Sequence, residues 1–209
     1  MKVAVFGGTG VTGRLVIDRA IEEGHHVIAL TRDASRLSIQ SDQLDIIEGS
    51  PTSPADMRRT LEGVDAVIHC LGIGGKGDGR ESTVVSDSVR LVIAQAEEAG
   101  VRRIVCMSNV GAGGSGSWLY RRIVLPIFLS WLRPIITDKD RMEELLRSSR
   151  FEWVSVRLPN IVDGPVRPIR ASASGSGVGL SITAASVAKF LVDQVSSSEW
   201  VGQTPSISN

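Results

Sequence analysis

The chain has 209 residues, in which 23 Lys and Arg are balanced by 23 Asp and Glu. This length suits a single domain that buries roughly 70% of the surface of its unfolded chain. A net charge of zero argues against a nucleic-acid-binding protein, because such proteins normally carry a basic face.

The cysteines and the apolar segments indicate the compartment. Cys70 and Cys106 both lie in apolar runs, which predicts two buried free thiols in a reducing environment. The N-terminal MKVAVFGG lacks the apolar region and cleavage site of a secretory leader. The most apolar stretch, residues 123–136, is shorter than the roughly 20 residues of a membrane span and contains two prolines and an arginine. We therefore expect a cytoplasmic protein without a membrane span.

Short apolar runs that are typical of buried strands alternate with helical patterns along the chain. Strands are predicted at KVAVFGG, HHVIALTR, LDIIEGS, DAVIHCLG, RRIVCMSN and FEWVSVRLP. Helices are predicted at TGRLVIDRAIEEG, at ADMRRTLEG, around residues 89–96, and at RMEELLRSSR. A last helix with its own N-terminal cap is predicted at SITAASVAKFLVDQV.

This alternation predicts an α/β fold: a single Rossmann-type domain over residues 1–209, with a doubly wound parallel sheet and helices on both faces. Segments 72–82 and 170–179 are rich in Gly and Ser, which predicts loops. We expect the substrate-side loops at 72–82, 109–137 and 162–182, along the edge where open α/β sheets bind ligands.

The stretch GGTGVTG joins the first predicted strand to the first predicted helix. In this arrangement Gly7 permits the tight turn, Gly10 lets the backbone approach a pyrophosphate, and Gly13 lets the helix pack close to the sheet. The N-terminus of the helix offers free N–H groups and a partial positive charge to the phosphates. A glycine motif at this junction predicts a dinucleotide site.

The end of the second strand indicates which dinucleotide is bound. An acidic residue there would bind the ribose 2′-hydroxyl of NAD, whereas this chain has Thr31 followed by Arg32. A guanidinium group matches the 2′-phosphate of NADP, and Arg36 is a possible second contact. We therefore expect NADPH to be preferred over NADH.

With these features the chain resembles the atypical short-chain dehydrogenase/reductases. It is most similar to the NAD(P)H-binding group that contains flavin reductase/biliverdin reductase B and NmrA-like proteins. The resemblance extends over essentially the whole chain, through VFGGTGVTG, LTRDASRL, GVDAVIHCLG, GVRRIVCMS, DKDRMEELLRSSRFEWVSVRLP and TAASVAKFL.

The resemblance implies a set of cofactor contacts. Around the pyrophosphate these are Gly7, Thr9, Gly10, Val11 and Thr12. Leu71 and Gly72 would pass the nicotinamide-side ribose, Ser108 and Asn109 would face the nicotinamide, and Pro159, Asn160 and Ile161 would form its far wall. Where the family often has Gly-Asp near the adenine, this chain has Gly49-Ser50, and Ser50 can offer one hydrogen bond.

Three side chains are candidates for the chemistry. Short-chain dehydrogenases use a Ser and a Tyr-x-x-x-Lys, but the residue four after Tyr120, the only tyrosine, is Val124. Tyr120 is either a proton donor or part of an apolar stretch. Lys139 is either a contact to the nicotinamide ribose or substrate, as the resemblance implies, or a surface lysine in a first helical turn. Ser108 either hydrogen-bonds the substrate or the carboxamide, or caps a turn.

Other signals have plainer interpretations. His69 is predicted to be a core histidine, and no cluster of residues has the spacing of metal ligands. The apolar segment 118–134 indicates a substrate pocket, a homodimer contact or ordinary packing.

The sequence therefore predicts an NADPH-dependent oxidoreductase that reduces a small apolar or aromatic acceptor of the flavin, quinone or ketone class. The cofactor supplies the hydride, and the missing Tyr-x-x-x-Lys counts against ordinary alcohol oxidation. Two alternatives remain open: a non-catalytic NmrA-like regulator that senses NADP, and a redox-neutral epimerase.

Overall fold

The computed structural model describes residues 1–72, 81–115 and 132–209. Tyr120 and most of the apolar segment 118–134, with the predicted proton donor and homodimer contact, lie outside these ranges. The same holds for most of the predicted loop 72–82.

The predicted alternation of strands and helices is confirmed over the described ranges. The strands are β1 (Lys2–Phe6), β2 (His26–Thr31), β3 (Leu44–Glu48), β4 (Ala66–His69), β5 (Arg103–Gly113), β6 (Glu152–Leu158), β7 (Asn160–Val162), β8 (Arg170–Ser172), β9 (Ser181–Thr183) and β10 (Ser206–Ser208). The helices are α1 (Val11–Glu22), α2 (Pro54–Leu61), α3 (Val84–Ala99), α4 (Arg133–Ser148) and α5 (Ala184–Asp193), with a 3₁₀ turn at Ala34–Arg36. None of these helices has the length and apolar character needed to cross a bilayer.

Eight of the strands form one sheet in the order β3-β2-β1-β4-β5-β6-β10-β8. All neighbouring pairs are parallel except β10 with β8. The chain first builds outward from β1 to β3 and then returns to β4 on the other side of β1. This reversal confirms the doubly wound Rossmann topology and places the ligand crevice at the carboxyl ends of β1 and β4.

Helices cover both faces of the sheet. On one face, α1 and α5 pack over Val5, Ala29 and Val154. On the other face, α2, α3 and α4 pack over Phe6 and Ile104. Because both faces are buried, the central strands have nearly continuous apolar sequences, which is why their positions could be predicted from short apolar runs.

The turn between β1 and α1 requires glycine at two positions. Gly7 has φ of +84°, and a Cβ there would lie 2.8 Å from the carbonyl carbon and oxygen of Cys70. A Cβ on Gly13 would overlap the Gly7 carbonyl oxygen and lie 2.8 Å from its carbon. Gly10 differs, since its nearest such neighbour is 3.4 Å away and its φ is −76°. The end of β1, the start of α1 and the end of β4 thus meet at backbone distances that exclude side chains.

The structure corrects two of the predicted loops. Within 109–137, β5 continues to Gly113, and α4 begins at Arg133, eight residues before the predicted start at Arg141. Within 162–182, residues 170–172 form β8, which pairs with β10. These short strands were missed because β8 and β10 are only three residues long and rich in serine, so their stabilisation comes from pairing rather than from their own sequence.

His69 is a core residue, as predicted. Its side chain is fully buried beneath Phe6, with ring centroids 5.8 Å apart, and its Nε2 lies 3.1 Å from the Ser88 hydroxyl oxygen. Burial, together with the nearby Lys139 charge, lowers the pKa of His69 from 6.5 to about 3.

We predict that Gly13→Ala destabilises the fold by about 2–3 kcal/mol, because the added methyl overlaps backbone that cannot move independently. Gly10→Ala is the matched control and should leave the urea unfolding midpoint nearly unchanged, since its Cβ meets only an ordinary contact. Equal midpoints for the two variants would contradict this account of the turn.

We also predict that His69 makes the fold acid-sensitive. The unfolded chain binds the imidazole proton below pH 6.5, whereas the folded protein binds it only near pH 3. The free energy of unfolding should therefore fall as the pH falls from about 6.5, by up to about 1.4 kcal/mol per pH unit from this group. Urea titrations at several pH values should give a flatter profile for His69→Gln; parallel profiles would rule out this role.

Candidate functional site

The N-terminus of α1 is open toward the ligand crevice. Gly10 is the N-cap residue and provides no side-chain cap, and the first turn contains no acidic residue. Val11 is exposed, whereas Thr12 is buried. Within residues 1–72, 81–115 and 132–209, no side chain caps the free N–H groups of this turn, which is the arrangement that binds a phosphate group.

Two exposed arginines, Arg32 and Arg36, lie just beyond the end of β2. The intervening Asp33 caps the 3₁₀ turn, and its carboxylate accepts hydrogen bonds from the backbone N–H and the hydroxyl of Ser35, at 3.1 and 2.5 Å. An acidic residue at the end of β2 commonly binds a ribose hydroxyl, but here the carboxylate has local partners. The two guanidinium groups are therefore exposed beside a carboxylate of which one oxygen, Oδ1, is held by Ser35.

Ser50 follows β3, at the position of the expected adenine contact. Its backbone N–H donates to Asp56 Oδ2 at 3.0 Å, and its hydroxyl is 2.9 Å from that of Thr52. The backbone N–H of Asp56 in turn donates to the Ser53 hydroxyl oxygen at 3.3 Å, so Ser53 caps the N-terminus of α2. Ser50 is thus held in a local turn, with its hydroxyl already shared.

Lys139 occupies the centre of the site. It lies in the second turn of α4 and is only 3% exposed, so the alternative of a surface lysine in the first turn is wrong. Its ammonium group donates to the carbonyl oxygens of Leu71 at 3.0 Å and of Met107 at 2.6 Å. Leu71 follows β4 and Met107 lies in β5, so Lys139 connects the ends of two neighbouring parallel strands.

The surroundings of this ammonium group change its titration. Burial lowers the pKa of Lys139 from its usual value of 10.5, against the opposite effects of Cys106, Asp138, Cys70 and Glu143. Burial also raises the pKa of both thiols, Cys70 and Cys106, to about 12, although Lys139 acts in the opposite direction. The cysteines are therefore unreactive neighbours, and the lysine is the titratable group with a functional environment.

Asp138 fixes the turn of α4 that carries Lys139. Its buried carboxylate accepts hydrogen bonds from the backbone N–H groups of Val85 at 3.0 Å and Ser86 at 3.1 Å. These are the first N–H groups of α3, so Asp138 caps the N-terminus of the neighbouring helix and stabilises its dipole.

Ser108 belongs to a buried polar network. It is 1% exposed, and its hydroxyl donates to Glu143 Oε1 at 2.9 Å. Glu143 is completely buried and binds Arg157 through two contacts, Nε–Oε1 at 3.0 Å and Nη2–Oε2 at 2.6 Å. Arg147 adds a third cationic contact, 2.8 Å from Oε2. Because the hydroxyl proton of Ser108 is used by Glu143, the oxygen is left as an acceptor for further contacts.

The residue one helical turn before Lys139 is Ile135. Ile135, Lys139 and Glu143 follow one another at intervals of four residues and therefore share one face of α4. In a Tyr-x-x-x-Lys motif the first of these positions would hold the tyrosine; here it holds a half-buried aliphatic side chain. This position cannot deliver a proton.

The far wall consists of a second, two-stranded sheet. β7, which follows Pro159, pairs in parallel with β9, and the Asn160 N–H donates to the Leu180 carbonyl oxygen at 3.2 Å. Ile161 and Val162 are partly exposed, and Leu180 is 88% exposed. The expected residues Asn160 and Ile161 are thus exposed residues of β7, and the exposed Leu180 directly precedes β9.

A groove of about 520 Å³ lies elsewhere, between α1, residues 39–41 and α5, where it is lined by Leu15, Asp18 and Ala188 among others. It contains none of the residues at the strand ends. Among the described residues no group of three His, Cys, Asp or Glu side chains is arranged to hold a metal ion.

Sequence reasoning missed four residues of this site: Arg14, Ile135, Asp138 and Glu143. A signal was available for Ile135, since it lies four residues before Lys139. The others depend on contacts between distant segments, such as the 35 residues that separate Ser108 from Glu143.

We predict that Glu143→Leu destabilises the protein by about 3–5 kcal/mol, because it leaves the Arg157 guanidinium buried without its counter-charge. Glu144→Leu, where the side chain is 76% exposed, is the matched control and should change stability by less than about 0.5 kcal/mol. The double variant Glu143→Leu/Arg157→Leu should recover part of the loss, and chemical unfolding of all three measures the differences. A double variant less stable than Glu143→Leu would refute the ion-pair explanation.

Comparison with known sequences agrees with this geometry. A family described as NAD(P)H-binding matches residues 7–198. The UPF0659 protein YMR090W of Saccharomyces cerevisiae is 26% identical over 208 residues, which cover 93% of this chain and 87% of the yeast protein.

Solved structures share the fold. A short-chain dehydrogenase/reductase of Veillonella parvula, crystallised in complex with NADP, superposes with a TM-score of 0.83 at 12% identity, covering 100% of this chain and 94% of the other. ChuY, an anaerobilin reductase of Escherichia coli O157:H7, superposes with a TM-score of 0.82 at 19% identity, covering 100% and 97%. Since the family match begins in the glycine turn and continues through the last helix, the chain belongs to the NAD(P)H-binding family.

Proposed function

We propose that this protein is an NADPH-dependent reductase that transfers hydride to a small apolar or aromatic acceptor. The observation that carries the proposal is Lys139, a buried ammonium group held between the Leu71 and Met107 carbonyl oxygens. Burying a charge lowers the stability of a fold, so a buried ammonium group is typical of a functional residue. Lys139 also lies near the strand ends where a Rossmann fold binds its ligand.

The residues present fit a dinucleotide. Gly7 and Gly13 bring the turn close to the backbone of β4 and α1, while Gly10 leaves the space that a pyrophosphate needs. The uncapped first turn of α1 would bind the phosphates through its N–H groups. When bound, the nicotinamide supplies the hydride, and the chain's task is to position both partners and adjust charge around them.

The choice of NADPH over NADH is supported by the end of β2. Arg32 and Arg36 are exposed, and Asp33 is engaged with Ser35. A ribose 2′-phosphate would meet guanidinium groups there, whereas the carboxylate that could bind a free 2′-hydroxyl is held by Ser35 through one of its two oxygens.

The side chains that could donate a proton favour acceptors that tolerate negative charge after hydride transfer. Among the described residues, Ile135 has no proton to give, and the Ser108 proton is donated to Glu143. The Lys139 ammonium group donates to two backbone carbonyl oxygens. Reduction of a ketone would form an alkoxide that needs a proton during the reaction, whereas a reduced flavin or quinone delocalises its charge and takes a proton from water. The Lys139 ammonium group would stabilise this charge as it develops.

The apolar rim supports an aromatic acceptor. Ile161, Val162 and Leu180 expose aliphatic surface beside the far wall. A flat conjugated molecule that covers these side chains would remove apolar area from water.

We predict that wild-type protein accelerates the oxidation of NADPH by FMN or a simple quinone in stopped-flow experiments. Lys139→Met should lower the rate of hydride transfer by about a hundredfold, because the developing charge loses its electrostatic partner. The matched control is Lys189→Met, since Lys189 is a partly exposed lysine on α5 that pairs with Asp193; it should behave as wild type.

Unfolding midpoints and NADPH dissociation constants of each variant separate a catalytic loss from a folding or binding loss. If Lys139→Met folds, binds NADPH and reacts at the wild-type rate, the assigned role of Lys139 is wrong. If wild-type protein binds NADPH but accelerates none of a broad panel of acceptors, the reductase proposal fails and a regulatory binding protein is favoured.

A further inference from the structure

Three arginines meet at the corner between α1 and the end of β2. Arg14 follows Gly13 in the first turn of α1, and Arg32 and Arg36 lie at either side of the 3₁₀ turn; all three are exposed. Several other arginines of the described chain pair with carboxylates, namely Arg19, Arg59, Arg90, Arg103, Arg147, Arg150 and Arg157. No ion pair within the described residues includes Arg14, Arg32 or Arg36.

A hydrogen bond from the Arg14 side chain joins α1 to the 3₁₀ turn. Its Nη2 donates to the backbone carbonyl oxygen of Arg36 at 3.2 Å. The carbonyl belongs to the last residue of the 3₁₀ turn, so the contact draws this end of the turn onto α1. A guanidinium group has five N–H donors, and only one is used in this contact.

The other end of the same turn is also fixed. The Thr31 hydroxyl donates to the Asp33 carbonyl oxygen at 3.0 Å, and Asp33 Oδ1 accepts from Ser35. The turn is therefore anchored at β2 by Thr31 and Asp33 and at α1 by Arg14. The next residue, Leu37, is buried in the same hydrophobic cluster as Val16 and Ile17 of α1, so the Arg14 contact adds a polar link to an apolar one.

We propose that Arg14 is a specificity-determining residue for the cofactor. It positions Arg36 through the backbone contact and adds a third guanidinium group to the subsite for a ribose 2′-phosphate. The inference rests on the proposed function, because it assumes that a dinucleotide lies on the glycine turn. It assigns to Arg14 a role in selecting a phosphate monoester dianion over a hydroxyl.

The test measures binding without any acceptor. Dissociation constants for NADPH, NADH, 2′-AMP and 5′-AMP are obtained by calorimetry for wild type, Arg14→Gln, Arg14→Lys and the control Arg19→Gln. Arg19 lies on the same helix but is bound to Glu22 and Glu23. We expect Arg14→Gln to raise the dissociation constants of NADPH and 2′-AMP by about tenfold or more, because a charge-assisted contact is lost. The dissociation constants of NADH and 5′-AMP should change by less than about twofold.

Arg14→Lys should recover part of the loss, since it keeps the charge but not the planar fork. If Arg14 acts partly through Arg36, the losses in Arg14→Gln and Arg36→Gln should be non-additive in the double variant for NADPH. Unfolding midpoints establish that the variants remain folded.

If NADPH binding and NADH binding are weakened equally, Arg14 has only a structural role and the inference is overturned. Unchanged NADPH binding would overturn it as well. These outcomes are independent of the reductase proposal, because a protein that never turns over still reports its affinities. Conversely, a protein that reduces acceptors with NADPH and NADH equally well, with Arg14→Gln unaltered, would retain the reductase proposal and lose this one.

Discussion

The close approach of backbone to backbone at the end of β1 is the constraint on which the rest of the structure depends. Gly7 touches the Cys70–Leu71 peptide, and Gly13 touches Gly7, at distances that exclude any side chain. This contact sets the direction in which α1 leaves the sheet. It also sets the distance between the end of β4 and the glycine turn. The ligand crevice of a doubly wound sheet lies between those two strands, so its width follows from the missing Cβ atoms.

Lys139 extends the same constraint across the sheet. The peptide that contacts Gly7 continues to Leu71, whose carbonyl oxygen accepts from Lys139, and the ammonium group also binds Met107 in β5. Asp138, next to it, binds the first N–H groups of α3. The glycine turn, two strand ends and two helices are therefore joined by short polar contacts, and the proposed charge on the acceptor would develop within this framework.

Hydrogen bonds among buried polar groups determine which side chains of the site can donate a proton. Ser108 gives its proton to Glu143, which is neutralised by Arg157 and Arg147, and Ile135 replaces a hydroxyl-bearing side chain one turn before Lys139. Among the described residues, the site has an ammonium group but neither a tyrosine one turn before it nor a Ser108 proton free of Glu143, which distinguishes it from the Tyr-x-x-x-Lys arrangement of an alcohol dehydrogenase. This difference follows from hydrogen-bond direction, which is a property of pairs of residues rather than of single ones.

The sequence by itself determined the order of β1 to β6 and of the helices, the glycine turn, the basic end of β2 and the core position of His69. These features depend on residues close together in the chain: apolar runs, glycines at fixed spacing, and side chains next to a strand end. It did not determine the length of β5, the start of α4, the pairing of β8 with β10, the burial of Lys139 or the partner of Ser108. Only the tertiary structure decided these, because each depends on groups brought together from distant segments, such as the 68 residues that separate Lys139 from Leu71 and the 35 between Ser108 and Glu143.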